Sequence, residues 1–225
     1  MGQIKYKIIL RGMRWFYLIE KLCNKLTKRI QNKIPEIDDE RAEVINYGLQ
    51  LVFGEIPKTF IILLIAYIFG ALKLSILALI FIMPYKTFSG GVHLKTHIGC
   101  IIGTSVFYIG NAFLSKNIVI EPTYIKYILT AAIWIFSIIM IKLYAPADTE
   151  AVPILRKKDR NLKRKLSYIT MTITLICAVI IKDNIISNLL IFGTLLQTIS
   201  ISGFMYKITK CKFGYREYIK LNNIA

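Results

Sequence analysis

Apolar positions fall into two patterns along the chain. Over residues 1–34, Ile9, Met13, Phe16, Ile19, Cys23, Leu26 and Ile30 recur every three or four residues, with Arg14, Lys21, Lys25 and Lys28 on the other side. That is the signature of a basic amphipathic helix. It predicts either an interfacial helix on an anionic leaflet or a helix packed on the rest of the protein, because both use the same stripe. Arg11 and Arg14 interrupt the apolar run and no small-residue cleavage site follows, which argues against a signal peptide. After Pro35 the acidic run Asp38-Asp39-Glu40 predicts a helix start, since carboxylates favour the positive end of the helix dipole. The pattern then changes to nearly continuous apolar blocks at 44–69, 74–83, 98–114, 124–144, 168–181 and 185–206, the second ending at Pro84. A helix of ~20 residues crosses ~30 Å of hydrocarbon. The blocks predict an all-α, polytopic membrane protein with about six transmembrane or re-entrant helices, the short second block being the re-entrant candidate. Within the first block, Glu55 and Lys58 share a helical face, where they pair or line a polar interior.

Composition agrees with this reading and gives it an orientation. Apolar residues make up 55% of the chain and the mean hydropathy is +0.54, too hydrophobic for an ordinary soluble domain of this size. The formal charge of +17 belongs to loops of a membrane protein rather than to a nucleic-acid binder, and no nucleic-acid partner is expected. Ten Lys and Arg lie in residues 1–41, two in 85–97, seven in 156–165 and five after Tyr206, against only Lys73, Lys116, Lys126 and Lys182 on the opposite side. Positive-inside bias therefore puts both termini, the 85–97 segment and a 145–166 loop in the cytosol. The expected organisation is a basic amphipathic segment at 1–43, a helical membrane domain at 44–206 and a basic cytosolic tail at 207–225. Cys23, Cys100, Cys177 and Cys211 have no C-x-x-C pairing, which excludes a disulfide-stapled secreted fold and predicts free thiols.

Candidate chemistry concentrates in residues 86–100, which hold both histidines of the chain and one cysteine. An imidazole beside Cys100 would support a thiolate nucleophile at the membrane edge. His97 is one helical turn from Cys100, whereas His93 is two turns, ~10.5 Å, away along a regular helix. Gly90 and Gly91 argue against a regular helix there, and a bend would let His93 fold back, so spacing leaves the base open. The H-x-x-x-H-x-x-C spacing of His93, His97 and Cys100 also fits a zinc hydrolase site, without a fourth ligand or evident outer shell. A third reading makes the histidines loop residues and Cys100 a small apolar residue of a span, as in a non-enzymatic peptide carrier.

Two blocks of sequence narrow these alternatives. Ser89-Gly-Gly-Val-His93, with Cys100 seven residues on, resembles the signature of the AgrB family of accessory gene regulator quorum-sensing systems, and Tyr144-Ala-Pro-Ala-Asp-Thr-Glu150 with Pro153 resembles its loop motif. The order of the blocks, the chain length and the six-block layout extend the resemblance over most of the sequence. It implies a homodimeric membrane cysteine endopeptidase, without cofactor or metal, that cleaves an amphipathic AgrD-type propeptide and promotes its cyclisation to a thiolactone or lactone. Cys100 would be the nucleophile and His93 its partner, with Lys86, Ser89, Gly90, Gly91, Asp148, Thr149 and Glu150 as supporting or substrate-binding residues. Where the family commonly has arginine ahead of the glycines this chain has Lys86, a cation without the bidentate fork.

Overall fold

The computed structural model describes residues 19, 21–34, 36–92, 94, 97–149 and 153–221. The chain divides into two compact units, residues 1–64 and 65–225. In the first, helix α1 (residues 21–33) precedes α2 (Asp39–Ile68). Asp38 caps α2 by accepting from the Arg41 N–H at 2.8 Å, as the acidic run predicted. Of the described part of the stripe, Ile19 and Cys23 are buried and Leu26 and Ile30 half-buried, with Thr27 buried beside them. Asn46 Nδ2 donates to Asn24 Oδ1 at 2.7 Å and Gln31 Nε2 to Asp39 Oδ1 at 2.8 Å. These ties favour the packed-helix reading for α1; residues 1–18 lie outside the described residues, as does the side chain of Glu55.

The second unit contains α3 (Leu72–Ser89), α4 (His97–Asn117), α5 (Thr123–Tyr144), α6 (Lys157–Ile180), α7 (Asn184–Ser200), α8 (Gly203–Ile208) and α9 (Gly214–Leu221). All regular elements among the described residues are helices, in line with the all-α expectation. α7 carries no charge and packs against α3, α4, α5 and α6, so it is buried on several sides and supplies the centre of the bundle. Several of its buried polar groups find partners across the core, while Thr194 Oγ1 and Gln197 Oε1 have none among the described residues. Thr198 Oγ1 meets Tyr85 OH at 3.0 Å and Ser137 Oγ at 2.7 Å, and Asn188 Nδ2 donates to the Ile118 carbonyl at 2.8 Å. The outer faces stay apolar, with Ile128, Ile135 and Leu143 of α5 and Ile169, Ile173 and Ile180 of α6 exposed. By length and composition, α3 and α5 are apolar enough to cross a membrane, while α7 is apolar but has only 17 residues.

Three boundaries differ from expectation. The second block does not stop at Pro84: α3 continues to Ser89 and reaches 18 residues. Proline removes one intrahelical bond, but Ile82 and Tyr85 on either side are fully buried and hold the helix through it. The last block ends at Ser200 rather than 206, because the Ser202 hydroxyl accepts from the Met205 N–H and starts the separate turn of α8. The basic stretch 156–165 is mostly helix, since Lys157 begins α6 and Asp159 in its first turn favours the start, so the expected 145–166 loop shortens to 145–156.

Candidate functional site

The two sequence blocks meet where α3 ends. Gly90 caps α3 with φ 74° and ψ −147°, its N–H donating to the Lys86 carbonyl at 2.9 Å, and Gly91 follows at φ 143°. Both angles lie where L side chains are strained. The glycines run parallel to the 145–149 segment in a single bridge between Gly90 and Ala147. Ala147 N–H donates to the Ser89 carbonyl at 2.8 Å, and Gly91 N–H donates to the Ala147 carbonyl at 2.9 Å. A Cβ on Gly90 would enter the Ala147 carbonyl, and one on Gly91 would sit 2.9 Å from Ser200 Oγ. Space as well as dihedral angle therefore requires glycine at both positions.

α7 fixes the same turn from the core side. Gln197, fully buried, donates its Nε2 to the Gly90 carbonyl at 2.8 Å and to Ser89 Oγ at 3.0 Å, while Val92 N–H donates to the Ser200 carbonyl at 3.2 Å. Gly91, Val92 and Leu94 are non-helical, and α4 starts only at His97. The break in helix expected from the glycines is present. Cys100 lies half-buried in the first turn of α4 as a free thiol, at the end where the helix dipole favours negative charge. Lys86 turns toward α4, its Nζ 5.3 Å from the Phe107 ring centroid and 5.9 Å from that of Tyr108. Phe107 is seven residues beyond Cys100, so it shares that face of α4 about two turns, ~10.5 Å, away. His93 and the side chain of His97 lie outside the described residues, and with them both the histidine of the nucleophile reading and two ligands of the zinc reading.

The 145–149 segment is held in turn from its far side. The Ala145–Pro146 peptide is cis, and Arg164 Nε donates to the Ala145 carbonyl at 2.8 Å. Asp148 is 6% exposed, and its Oδ2 accepts from Ile154 N–H at 2.9 Å, Tyr215 N–H at 3.1 Å and Arg160 Nη1 at 3.1 Å. Arg160 also stacks on Tyr215, with its guanidinium carbon 4.1 Å from the ring centroid. Tyr206 OH donates to the Asp148 carbonyl at 2.9 Å, and burial, reinforced by the Asp148 charge, pushes this phenol's pKa up, so it stays a donor. Tyr206 stacks on Phe213 at 3.8 Å between centroids. Asp148 is thus a clasp that joins the loop to α6 and α9, and its second oxygen, Oδ1, is buried without a hydrogen-bond partner among the described residues. Thr149 is half-buried, with its carbonyl against Gly214; Glu150 lies outside the described residues. The expected basic tail is in part packed structure, since Phe213 stacks on Tyr206 and the Tyr215 N–H donates to Asp148.

The sequence reading missed Gln197, Ser200, Arg160, Arg164, Tyr206 and Tyr215. Gln197 had a visible signal, as the one long amide in an otherwise apolar block. The two arginines had none, because a basic loop is what topology alone predicts.

The family model for accessory gene regulator B matches residues 20–201, which include both blocks of the junction. The chain belongs to the accessory gene regulator B family. An AgrB-like protein of Clostridium acetobutylicum is 26% identical over 202 residues, covering 89% of this chain and 94% of that protein. An AgrB-like protein of Listeria innocua is 29% identical over 185 residues, covering 81% and 87%, and protein FsrB of Enterococcus faecalis is 24% identical over 180 residues, covering 80% and 72%. No solved structure matches. Membership of the AgrB family, with two helices apolar enough to cross a bilayer, makes this a membrane protein of a quorum-sensing accessory gene regulator system, whose B component works with an AgrD-type propeptide. The match ends at residue 201, so the α8–α9 contacts to Asp148 lie beyond it.

Proposed function

We propose that this AgrB-family protein is a membrane cysteine endopeptidase that cleaves the carboxyl-terminal tail from an amphipathic AgrD-type propeptide and promotes cyclisation of the remainder. The observation that carries the reading is the junction itself: the glycine turn, pinned by the 145–149 segment and α7, stands a few residues ahead of α4, whose first turn holds Cys100. Cys100 Sγ attacks the scissile carbonyl while His93 takes the thiol proton and passes it to the departing amine of the tail. The carbon–nitrogen bond breaks and an acyl thioester on Cys100 remains. A thiol of the substrate then attacks that thioester, giving up its proton to His93, closing a thiolactone and returning Cys100; a hydroxyl would close a lactone. A thioester suits this sequence because exchange onto a second thiol is nearly balanced, whereas an oxygen ester is a poorer donor for a thiolactone. Slow access of water to the membrane-edge site protects the intermediate. In this reading α2 to α7 are the six membrane helices, both termini and the junction face the cytosol, and the protein acts as a homodimer.

Co-expression with a propeptide tests the chemistry. Cys100→Ala should abolish cleavage, His93→Ala should nearly do so, and His97→Ala should keep substantial activity, with all three proteins inserted in the membrane. A trapped thioester between Cys100 and the precursor supports covalent catalysis. A dead His97→Ala beside an active His93→Ala would assign the base to His97, and activity lost with stoichiometric zinc on chelation would replace the dyad with a metal site. Thiol probes in 156–165 that react from outside intact cells would overturn the topology.

A further inference from the structure

Beyond the processing site, the other end of the 65–225 unit holds a largely covered lysine with no ion pair among the described residues. Lys126 is in the first turn of α5, on the helix's inward face with Thr130, Ile133, Ser137 and Ile141, and is only 7% exposed. Among the described residues no hydrogen bond or ion pair engages its ammonium. A lysine at a helix end ordinarily keeps its head in water, with the stem along the protein. Here most of the side chain is covered and what stays accessible opens into a hollow at the amino end of α5, and an ionisable residue so placed in a membrane bundle calls for a partner.

The partner has room. Lys126 lines an open hollow of about 450 Å³ together with Ile120, Glu121, Pro122, Thr123 and Asn184, wide enough to admit a small polar group from outside. α5 starts here at Pro122 without a side-chain cap, so its first-turn N–H groups add positive potential beside the ammonium. The neighbouring helix start differs. Asp183 caps α7 by accepting from Ile186 N–H at 2.9 Å, so the cavity draws on α5 rather than α7 for that potential. Asn184 contributes an amide and Thr123 a hydroxyl. Glu121 stands on the same wall without an ion pair to Lys126 among the described residues, and its carboxylate disfavours a purely anionic guest while offering an acceptor for an ammonium. Along α4, this end is ~25 Å from Cys100.

We propose that the cavity is a phosphate-group site occupied by the phosphoethanolamine headgroup of a lipid, the phosphate on Lys126 and the α5 amino end and the ammonium on Glu121. The site owes nothing to the processing reaction and stands or falls separately from it. The test is native mass spectrometry of the purified full chain in detergent, titrated separately with short-chain phosphatidylethanolamine, phosphatidylglycerol and inorganic phosphate. Wild type should take up one phosphatidylethanolamine per chain, about tenfold more tightly than phosphatidylglycerol, the scale of one charge-assisted hydrogen bond. Lys126→Met should weaken that lipid by a similar factor, and Glu121→Gln should erase the preference between the two lipids. The proposal is overturned if Lys126→Met binds phosphatidylethanolamine as wild type does, if wild type holds phosphatidylglycerol equally well, or if inorganic phosphate displaces the lipid at equal concentration. The comparison of lipids on wild type decides the matter even where a variant fails to fold.

Discussion

At the end of the bundle where α3 stops and α4 begins, buried polar groups hold one another: Gln197 reaches the Gly90 carbonyl, the Ala147 amide reaches Ser89, and Asp148 gathers donors from residues 154, 160 and 215. At the opposite end Lys126 is almost as deeply buried and has no such company among the described residues. Both ends hold a largely covered charged residue, and such charge calls for compensation. The first end is compensated largely from within the chain, which suits it to the rigid mount that the proposed function requires. The second is left for something outside the chain to complete. On the two proposals above, the same physical demand yields a preorganised site in one place and a receptive one in the other.

The comparison can be broken most forcefully at Asp148. Asp148→Ala leaves Arg160 without its buried anion and two backbone amides without an acceptor, so it should lower unfolding free energy by about 3–5 kcal/mol and abolish propeptide cleavage. Thermal unfolding in detergent read beside a cleavage assay checks both, and an unchanged melting temperature would mean that polar ties do not hold this end. Gly90→Ala comes next. Its positive φ and the Ala147 carbonyl in the path of the new methyl together should cost about 1–3 kcal/mol and reduce cleavage strongly, while Cys100 still reacts with a thiol probe. Full cleavage in that variant would show that the glycine turn does not position the reacting segment. Gln197→Leu should have the smallest effect, about 1–3 kcal/mol less whatever the apolar replacement regains, since two acceptors lose their donor inside an otherwise intact core. As Gln197 positions the turn without touching substrate, kcat should fall with little change in KM, and a change confined to KM would sink that role.

How far the sequence reached depends on the range of the forces involved. Apolar blocks and their spacing foretold an all-helical chain and most helix positions, because helix formation and burial in an apolar phase are read from consecutive residues. Gly90-Gly91 announced the break before α4 for a similarly local reason, the freedom of a backbone without Cβ. Pro84 misled, because a local helix breaker was outweighed by the burial of Ile82 and Tyr85 against distant partners. The basic stretch 156–165 also misled: topology accounts for its charge, yet Arg160 and Arg164 serve the 145–149 segment. Asp148 and Gln197 were visible as residues, but partners of theirs lie 67 and 107 positions away, at Tyr215 and Gly90. The sequence by itself determined the helical membrane class, the family and the identity of the candidate nucleophile. Only the tertiary structure decided that the two motif blocks form one junction, that α7 and α9 hold it, and that Lys126 is largely covered, because hydrogen bonds and burial between distant segments follow from packing rather than from any local pattern.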